Sequence, residues 1–196
     1  VWDADIGTGD AKRRRILAAP IVADGRVFAL DAEAQLSAFA ADSGAPLWRR
    51  SVAPEGQRPD SGPGGGMAQA GGVLYVSTGF GQVMALDPRT GGEIWRATLE
   101  APVRGAPTVE DGLVFVVARN DAALALDARS GAVVWRIAGA GGPGVLGGAS
   151  PAVQGPLAVL PFASGEVLVP MRTSVARALI EEWFGGSLGD APVAPG

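Results

Sequence analysis

Two short stretches carry side chains that could do chemistry. Residues 85–95 read ALDPRTGGEIW and residues 125–135 read ALDARSGAVVW. In each, a carboxylate (Asp87, Asp127) stands two residues before a guanidinium (Arg89, Arg129). Such a pair could exchange a proton or grip a charged ligand. A catalytic set normally occurs once in a chain. This one recurs, at the same offset from a Gly (Gly91, Gly131) and a Trp (Trp95, Trp135). Recurrence at fixed spacing is the mark of a structural unit.

Composition removes most other chemistry. The 196 residues contain no Cys and no His. Thiol nucleophiles, Ser-His-Asp and Cys-His catalysis, disulfides and zinc sites built on those ligands are therefore excluded. A chain without Cys is compatible with an oxidising compartment. The net charge of −4 argues against a nucleic-acid-binding domain. One dense basic run, Lys12–Arg15, reads either as a patch for anionic lipid or nucleic acid, or as a solvated loop between strands. No apolar run reaches the roughly 18 residues of a membrane span. The opening VWDADIGTGD lacks the apolar core of a signal peptide, so the targeting segment of an exported protein would lie outside this sequence.

The elements that must position the two motifs emerge from the Trp spacing. Trp falls at 2, 48, 95, 135 and 183. Related segments precede four of these: 22–48, 70–95, 110–135 and, more loosely, 153–183. Each begins with a short apolar run and a Gly-containing turn: Asp24-Gly25, Gly71-Gly72, Asp111-Gly112, Gln154-Gly155. These are hairpin signals, because primed turns need positive φ. A β-rich run follows (Arg26–Leu30, Val73–Ser77, Leu113–Val117, Pro156–Leu160), then a third (Gln35–Phe39, Gln82–Leu86, Ala122–Leu126, Glu166–Val169). The Asp-x-x-Ser/Thr-Gly turn and a last run ending at Trp complete the unit. Four antiparallel strands per 40–50 residues predict an all-β chain of about four β-propeller blades. The 30 Gly and 15 Pro suit many short strands and turns. The blades are expected over about 16–50, 66–97, 105–137 and 150–184, within one propeller spanning 1–196. Residues 185–196 are left as a connector to a next blade or a tail.

Within that unit each repeated residue has a structural task. The carboxylates of Asp87 and Asp127 can accept backbone N–H groups two or three residues on. Gly44, Gly91 and Gly131 can take a left-handed conformation. Trp48, Trp95 and Trp135 can fill the gap between blades while their N–H groups reach a polar partner. The copies differ. Ala40 replaces the Asp in the first, and Pro170 and Ser174 replace the Asp and Gly in the fourth. The last copy then carries extra residues before Trp183, readable as a short helix over Ser174–Trp183 or as a slack final strand.

The pattern P-x-V-x-x-G-x-V-[FY]-V…L-x-A-L-D-x-x-[ST]-G-x-x-x-W resembles the PQQ-like propeller repeat, shared by quinoprotein dehydrogenases and non-enzymatic scaffolds. Across VWDADIGTG (1–9), the four repeats, GVLGGASPAV (144–153) and PFASGEV (161–167), the sequence is similar to the N-terminal half of BamB-type outer-membrane assembly factors. That resemblance implies half of an eight-bladed ring, in which the strand around Trp2 belongs to the sheet where the ring closes. It implies no cofactor and no enzyme activity. Its expected partners are the POTRA domains of BamA and nascent outer-membrane proteins, in the periplasm beside the outer membrane. Membrane attachment would come only through a lipid anchor outside this chain.

The resemblance also places the docking surface. It falls on the connector GPGVLGGASP, 142–151. Val145 and Leu146 read there either as a small exposed apolar anchor or as part of a loop tucked over the core. Gly147 stands where many relatives carry a basic residue, and Arg104 in APVRGAP is the corresponding place one blade earlier. Two other functions remain: a PQQ-dependent oxidoreductase fragment, and a sensory or structural extracytoplasmic propeller. Against the first, quinoprotein sites resemble one another in a calcium site of Glu, Asn and Asp, and the only Asn here is Asn120, beside a hairpin turn. An open half-ring would leave apolar end faces, which leaves three readings: homo-oligomers through the open blade edges, closure as a four-bladed ring, or a truncated half of a longer chain.

Overall fold

The structure, a computed structural model, describes residues 1–9, 16, 18–62, 64–103, 105–138, 150–154, 157–162 and 167–168. Within them lie fifteen strands in four antiparallel sheets, each in sequence order. Sheet one holds β1 (Ile21–Ala23), β2 (Arg26–Leu30), β3 (Gln35–Ala40) and β4 (Pro46–Ser51). Sheet two holds β5 (Gly65–Ala70), β6 (Val73–Thr78), β7 (Gln82–Leu86) and β8 (Glu93–Thr98). Sheet three holds β9 (Thr108–Glu110), β10 (Leu113–Val117), β11 (Ala122–Asp127) and β12 (Val133–Ala138). Sheet four holds β13 (Ala152–Gln154), β14 (Leu157–Pro161) and β15 (Val167–Leu168). The Ser174–Trp183 segment, which should supply the last strand, lies outside the described residues, as does Lys12–Arg15.

The first strands β1, β5, β9 and β13 are neighbours in that order. The fourth strands β4, β8 and β12 lie at the opposite edges of their sheets. Meanders stacked in this way, with one end of every sheet gathered together, are propeller blades.

The first turn of each blade follows from its sequence. Asp24-Gly25, Gly71-Gly72 and Asp111-Gly112 all have positive φ at both positions, from 47° to 77°. That is the type I′ geometry whose twist matches the strands it joins. Stacking explains why runs such as LVFVV (113–117) do not alternate apolar and polar. Val114 and Val116 of β10 meet Tyr75 and Val83 of sheet two, while Phe115 and Val117 meet Ala158 and Leu160 of sheet four. Both faces are covered, so both need apolar side chains. Burying a Phe such as Phe115, which is fully enclosed, stabilises the chain by about 1.5–3 kcal/mol.

The pairing of third and fourth strands shifts at the same place in three sheets: Ala38/Phe39, Ala85/Leu86 and Ala125/Leu126. Each shift is a bulge that gives the outer strand one extra residue and more twist. The extra residues, Leu47, Ile94 and Val134, are exposed.

Candidate functional site

The repeated side chains assemble into one device, used three times. In every complete sheet an aromatic ring on the second strand, an Ala on the third and the Trp on the fourth lie in one cross-strand row. The rows are Phe28–Ala38–Trp48, Tyr75–Ala85–Trp95 and Phe115–Ala125–Trp135. The Ala is fully buried in each, and the two rings lean across it with centroids 5.9–6.1 Å apart at 43–55°. A tilted pair at that distance is favourable beyond its area. The middle residue must be small, because any longer side chain would enter the space the rings occupy. This row was present in the sequence, as an aromatic 20 residues and an Ala 10 residues before each Trp. Only the strand register gives those spacings a meaning.

Trp48 and Trp95 each reach the next blade. Trp48 Nε1–H donates to the carbonyl of Pro88 at 3.0 Å, and Trp95 Nε1–H to that of Ala128 at 2.9 Å. The acceptor is in both cases the residue just after the repeated Asp. The ring covers the Gly of the same turn. A Cβ on Gly91 would lie 2.8 Å from Trp48 Cε3, and one on Gly131 2.5 Å from Trp95 Cε3. Both glycines also have φ above +70°. Gly is therefore required twice over, by the backbone and by the Trp of the preceding blade.

The same latch occurs a third time, with Trp2. Its Nε1–H donates to the Ala41 carbonyl at 3.0 Å, and its ring lies over Gly44, whose Cβ would come within 2.5 Å of Cε3. Trp2 thus sits on sheet one as Trp48 sits on sheet two. The segment is held further along by Thr8 N–H donating to Asp31 Oδ2 at 2.8 Å and by Arg49 Nη2 donating to the Asp5 carbonyl at 2.7 Å.

The carboxylates that opened the chemical question are occupied within their own turns. Asp87 Oδ1 accepts from Arg89 N–H at 2.7 Å, and both its oxygens accept from the Arg89 guanidinium. Asp127 Oδ1 accepts from Ser130 Oγ and N–H, each at 2.8 Å, and from Arg129 N–H at 3.0 Å. These bonds hold both carboxyls below the usual range, Asp87 chiefly through the Arg89 side chain and Asp127 chiefly through the Ser130 hydroxyl. A carboxylate so stabilised is a poor proton acceptor at neutral pH. The first copy shows what the Asp adds. With Ala40 in its place the turn keeps the same two backbone bonds, Gly44 N–H to Ala40 O at 2.8 Å and Ala40 N–H to Ala45 O at 2.9 Å. The Asp reinforces a turn that the Gly makes possible.

Charged groups on the outer strands also tie neighbouring blades. Arg50 donates to the Gly91 carbonyl and to Glu93, which also accepts two bonds from Arg96. Glu93 is held below its ordinary value, first by the Arg96 side chain. Burial raises the Tyr75 hydroxyl, with a smaller contribution from the charge of Asp127. A shallow cleft of about 230 Å³ lies between sheets two and three, with Leu99, Asn120 and Arg136 in its walls. Arg136 is paired there with Glu100 at 2.8 Å. Among the described residues no three His, Cys, Asp or Glu side chains gather as a metal site would require.

A blade stack latched by a repeated Trp is a fold, and the family is decided by comparison. A family model described as outer membrane protein assembly factor BamB matches residues 1–59 and 32–175. The chain belongs to the BamB family. It is 32% identical over 128 residues to the outer membrane protein assembly factor BamB of Alteromonas naphthalenivorans, covering 59% of this chain and 30% of that protein. To the same factor from Salmonella typhimurium it is 27% identical over 115 residues, covering 57% and 29%. The aligned part thus spans under a third of these BamB relatives. The crystal structure of BamB from Moraxella catarrhalis superposes with a TM-score of 0.64 over 86% of this chain and 48% of that one, at 22% identity. The quinohemoprotein alcohol dehydrogenase of Comamonas testosteroni shares the fold less fully, with a TM-score of 0.52 and 25% identity over 64% of this chain and 21% of its own. The positions expected to dock a partner in a BamB-type chain, Arg104, Val145, Leu146 and Gly147, lie outside the described residues. The chain on either side of Arg104 is fixed: Val103 is buried and its N–H donates to the Thr78 carbonyl, while the Gly105 carbonyl accepts from Ser77 Oγ at 2.6 Å.

Proposed function

We propose that this chain is a rigid binding scaffold of the BamB type, which docks on the POTRA domains of BamA in the bacterial periplasm and assists the assembly of outer-membrane β-barrels. One observation carries the reading. Asp87 and Asp127 bond within their own turns, Trp48 and Trp95 bond to the next blade, and Gly91 and Gly131 admit those rings, so the repeated residues are consumed in holding the stack together. What does not repeat is the connectors, and surface loops on a rigid scaffold are where binding residues concentrate. The family match and the two BamB relatives support the assignment of that binding to outer-membrane assembly. On this reading Val145 and Leu146 supply an apolar anchor, Gly147 leaves it without the basic group of many relatives, and Arg104 adds a charge from the preceding connector.

The test is a binding titration of the chain and its Leu146→Asp variant against purified POTRA domains. An anchor residue at the centre of an interface is worth about 2 kcal/mol or more, so affinity should fall by about thirtyfold or more. The circular dichroism of the variant should match that of the parent. Equal affinity for the two would remove the connector from the interface. Addition of PQQ and calcium, with measurement of absorbance and dye reduction, tests the oxidoreductase reading in the same preparation.

A further inference from the structure

The junction between sheets one and two is filled where the junction between sheets two and three is hollow. The two compare position by position. In sheet two Gln82 pairs with Thr98, Met84 with Arg96 and Leu86 with Glu93. In sheet three Ala122 pairs with Ala138, Leu124 with Arg136 and Leu126 with Val133. The turn before the third strand is also the same: Gly81 N–H donates to the Thr78 carbonyl and Asp121 N–H to the Ala118 carbonyl, each at 3.1 Å. Phe80 therefore corresponds to Asn120, Gln82 to Ala122, Glu93 to Val133 and Arg96 to Arg136.

In the first junction these side chains take up the space. Phe80 packs against the buried cluster of sheets one and two. The loop between β4 and β5 reaches its ring, since a Cβ on Gly62 would lie 2.5 Å from Phe80 Cδ1. Gln82 is buried, and its Oε1 accepts from Arg96 Nη1 at 2.9 Å. Glu93 accepts from the other two nitrogens of that guanidinium. In the second junction the ring, the amide and the carboxylate are all replaced, by Asn120, Ala122 and Val133. The cleft of about 230 Å³ opens at these three residues, with Leu99, Leu124 and Arg136 also in its walls. Among the described residues Arg136 pairs with Glu100, whose side chain is exposed.

The missing groups define what fits. An apolar group entering between Leu99, Leu124 and Val133 gains from burial, and a guanidinium binds a carbonyl or carboxylate oxygen. Pockets for whole small molecules run to about 300–1,000 Å³, so this cleft has room for about one large side chain. What fills the same place in the first junction is a stretch of peptide, Phe80–Gln82. We propose that the cleft between sheets two and three receives a peptide segment of a partner protein, which inserts an aromatic side chain beside Asn120 and Ala122 and gives a side-chain carbonyl or carboxylate oxygen to Arg136. The partner's acceptor meets Arg136 as Gln82 meets Arg96. This inference does not rest on POTRA docking, and neither Arg104 nor the connector 142–151 enters its test.

The experiment titrates the isotope-labelled 196-residue chain with the peptide acetyl-Gly-Phe-Gly-Gln-Gly-amide, which copies the Phe80–Gln82 spacing, and follows backbone amide shifts by NMR. One side chain seated in a cleft binds weakly, so saturation is expected at about millimolar peptide. The shifts should gather at Leu99, Asn120, Ala122 and Val133. Exchange of the peptide's Phe for Ala should weaken binding about tenfold or more. Exchange of its Gln for Ala should weaken it about threefold or more, and Arg136→Leu should make that exchange neutral, as a shared bond requires. Asn120→Phe/Ala122→Gln restores the side chains of the first junction and should abolish the shifts with circular dichroism unchanged. Arg136→Leu changes a side chain that is 43% exposed, so the test stands however well the refilled pair packs. Absence of saturable shifts at the four amides overturns the proposal. Equal binding of the Phe and Ala peptides does so too, as do shifts that persist in the folded refilled variant. Phenol binding as strongly as the peptide would make the cleft a site for small aromatic molecules, and that also overturns it.

Discussion

Two glycines with the same backbone and different surroundings separate what the Trp latch contributes. Gly131 has φ +75° and Gly112 has φ +77°. An Ala at either position bears the left-handed penalty of about 1–2 kcal/mol. The added Cβ meets nothing within 4 Å at 112, but at 131 it falls 2.5 Å from Cε3 and 2.9 Å from Cδ2 of Trp95. The Trp95 ring is 8% exposed and belongs to the buried cluster between sheets two and three, so it cannot swing aside freely. Overpacking of this kind costs about 1–3 kcal/mol. Any movement of the ring also stretches the 2.9 Å bond to the Ala128 carbonyl, which is worth a further 0.5–1.5 kcal/mol at about full loss. Gly131→Ala should therefore destabilise the chain by about 2–5 kcal/mol, rising to about 6.5 kcal/mol if that bond is lost altogether, and Gly112→Ala by about 1–2 kcal/mol. Urea unfolding followed by far-UV circular dichroism and Trp fluorescence measures both. Equal losses for the two variants would refute the claim that the repeated Gly exists to admit a Trp, and would leave φ as its sole reason.

Other consequences follow from the same contacts. Ala85→Leu inserts three carbons between Tyr75 and Trp95, so it should cost about 1–3 kcal/mol and perturb the near-ultraviolet aromatic signal; an unperturbed spectrum would contradict the cross-strand row. Glu93 is held below its unfolded value, so its stabilisation is complete above about pH 4.3 and fades as pH falls through the folded value. Glu93→Gln should flatten the acid limb of stability between about pH 5 and 3. Its cost at pH 7 should be no more than about 1 kcal/mol, because Glu93 and both Arg partners are a quarter to a third exposed; an acid limb as steep as the parent's would show that Glu93 does not contribute. Asp87→Ala should leave the turn intact and cost about 0.5–1.5 kcal/mol, since the first copy makes the same turn with Ala40. Loss of folding in that variant would show that the carboxylate does more than reinforce.

The strands and first hairpins were legible because each signal is local. Asp-Gly and Gly-Gly between apolar runs force a primed turn wherever they occur, and the observed φ values at 24–25, 71–72 and 111–112 follow from composition alone. The repeat period then fixed the kind of stacking. Less was legible about what faces what. That Gly131 lies under Trp95, a residue 36 positions earlier, depends on one sheet stacking on the next, and no single copy contains that fact. The Phe–Ala–Trp row likewise joins residues on three strands, and its middle member is an Ala that looks like filler in a linear reading. The reach of Trp2 over Gly44 was hidden because the segment before the first copy has no hairpin partner in sequence. The connector 142–151, proposed above to dock, is the least legible part, since an isolated Val-Leu pair among glycines has no period to give it meaning.

The most direct measurement is equilibrium binding of this chain to the POTRA domains of BamA from the same cell, at physiological ionic strength. A scaffold of the BamB type predicts saturable binding that is weakened by Leu146→Asp and unchanged by Asp87→Ala, because the connector binds and the repeated turn only supports. No binding, or binding lost on changing the repeated turn while the connector is indifferent, would contradict it.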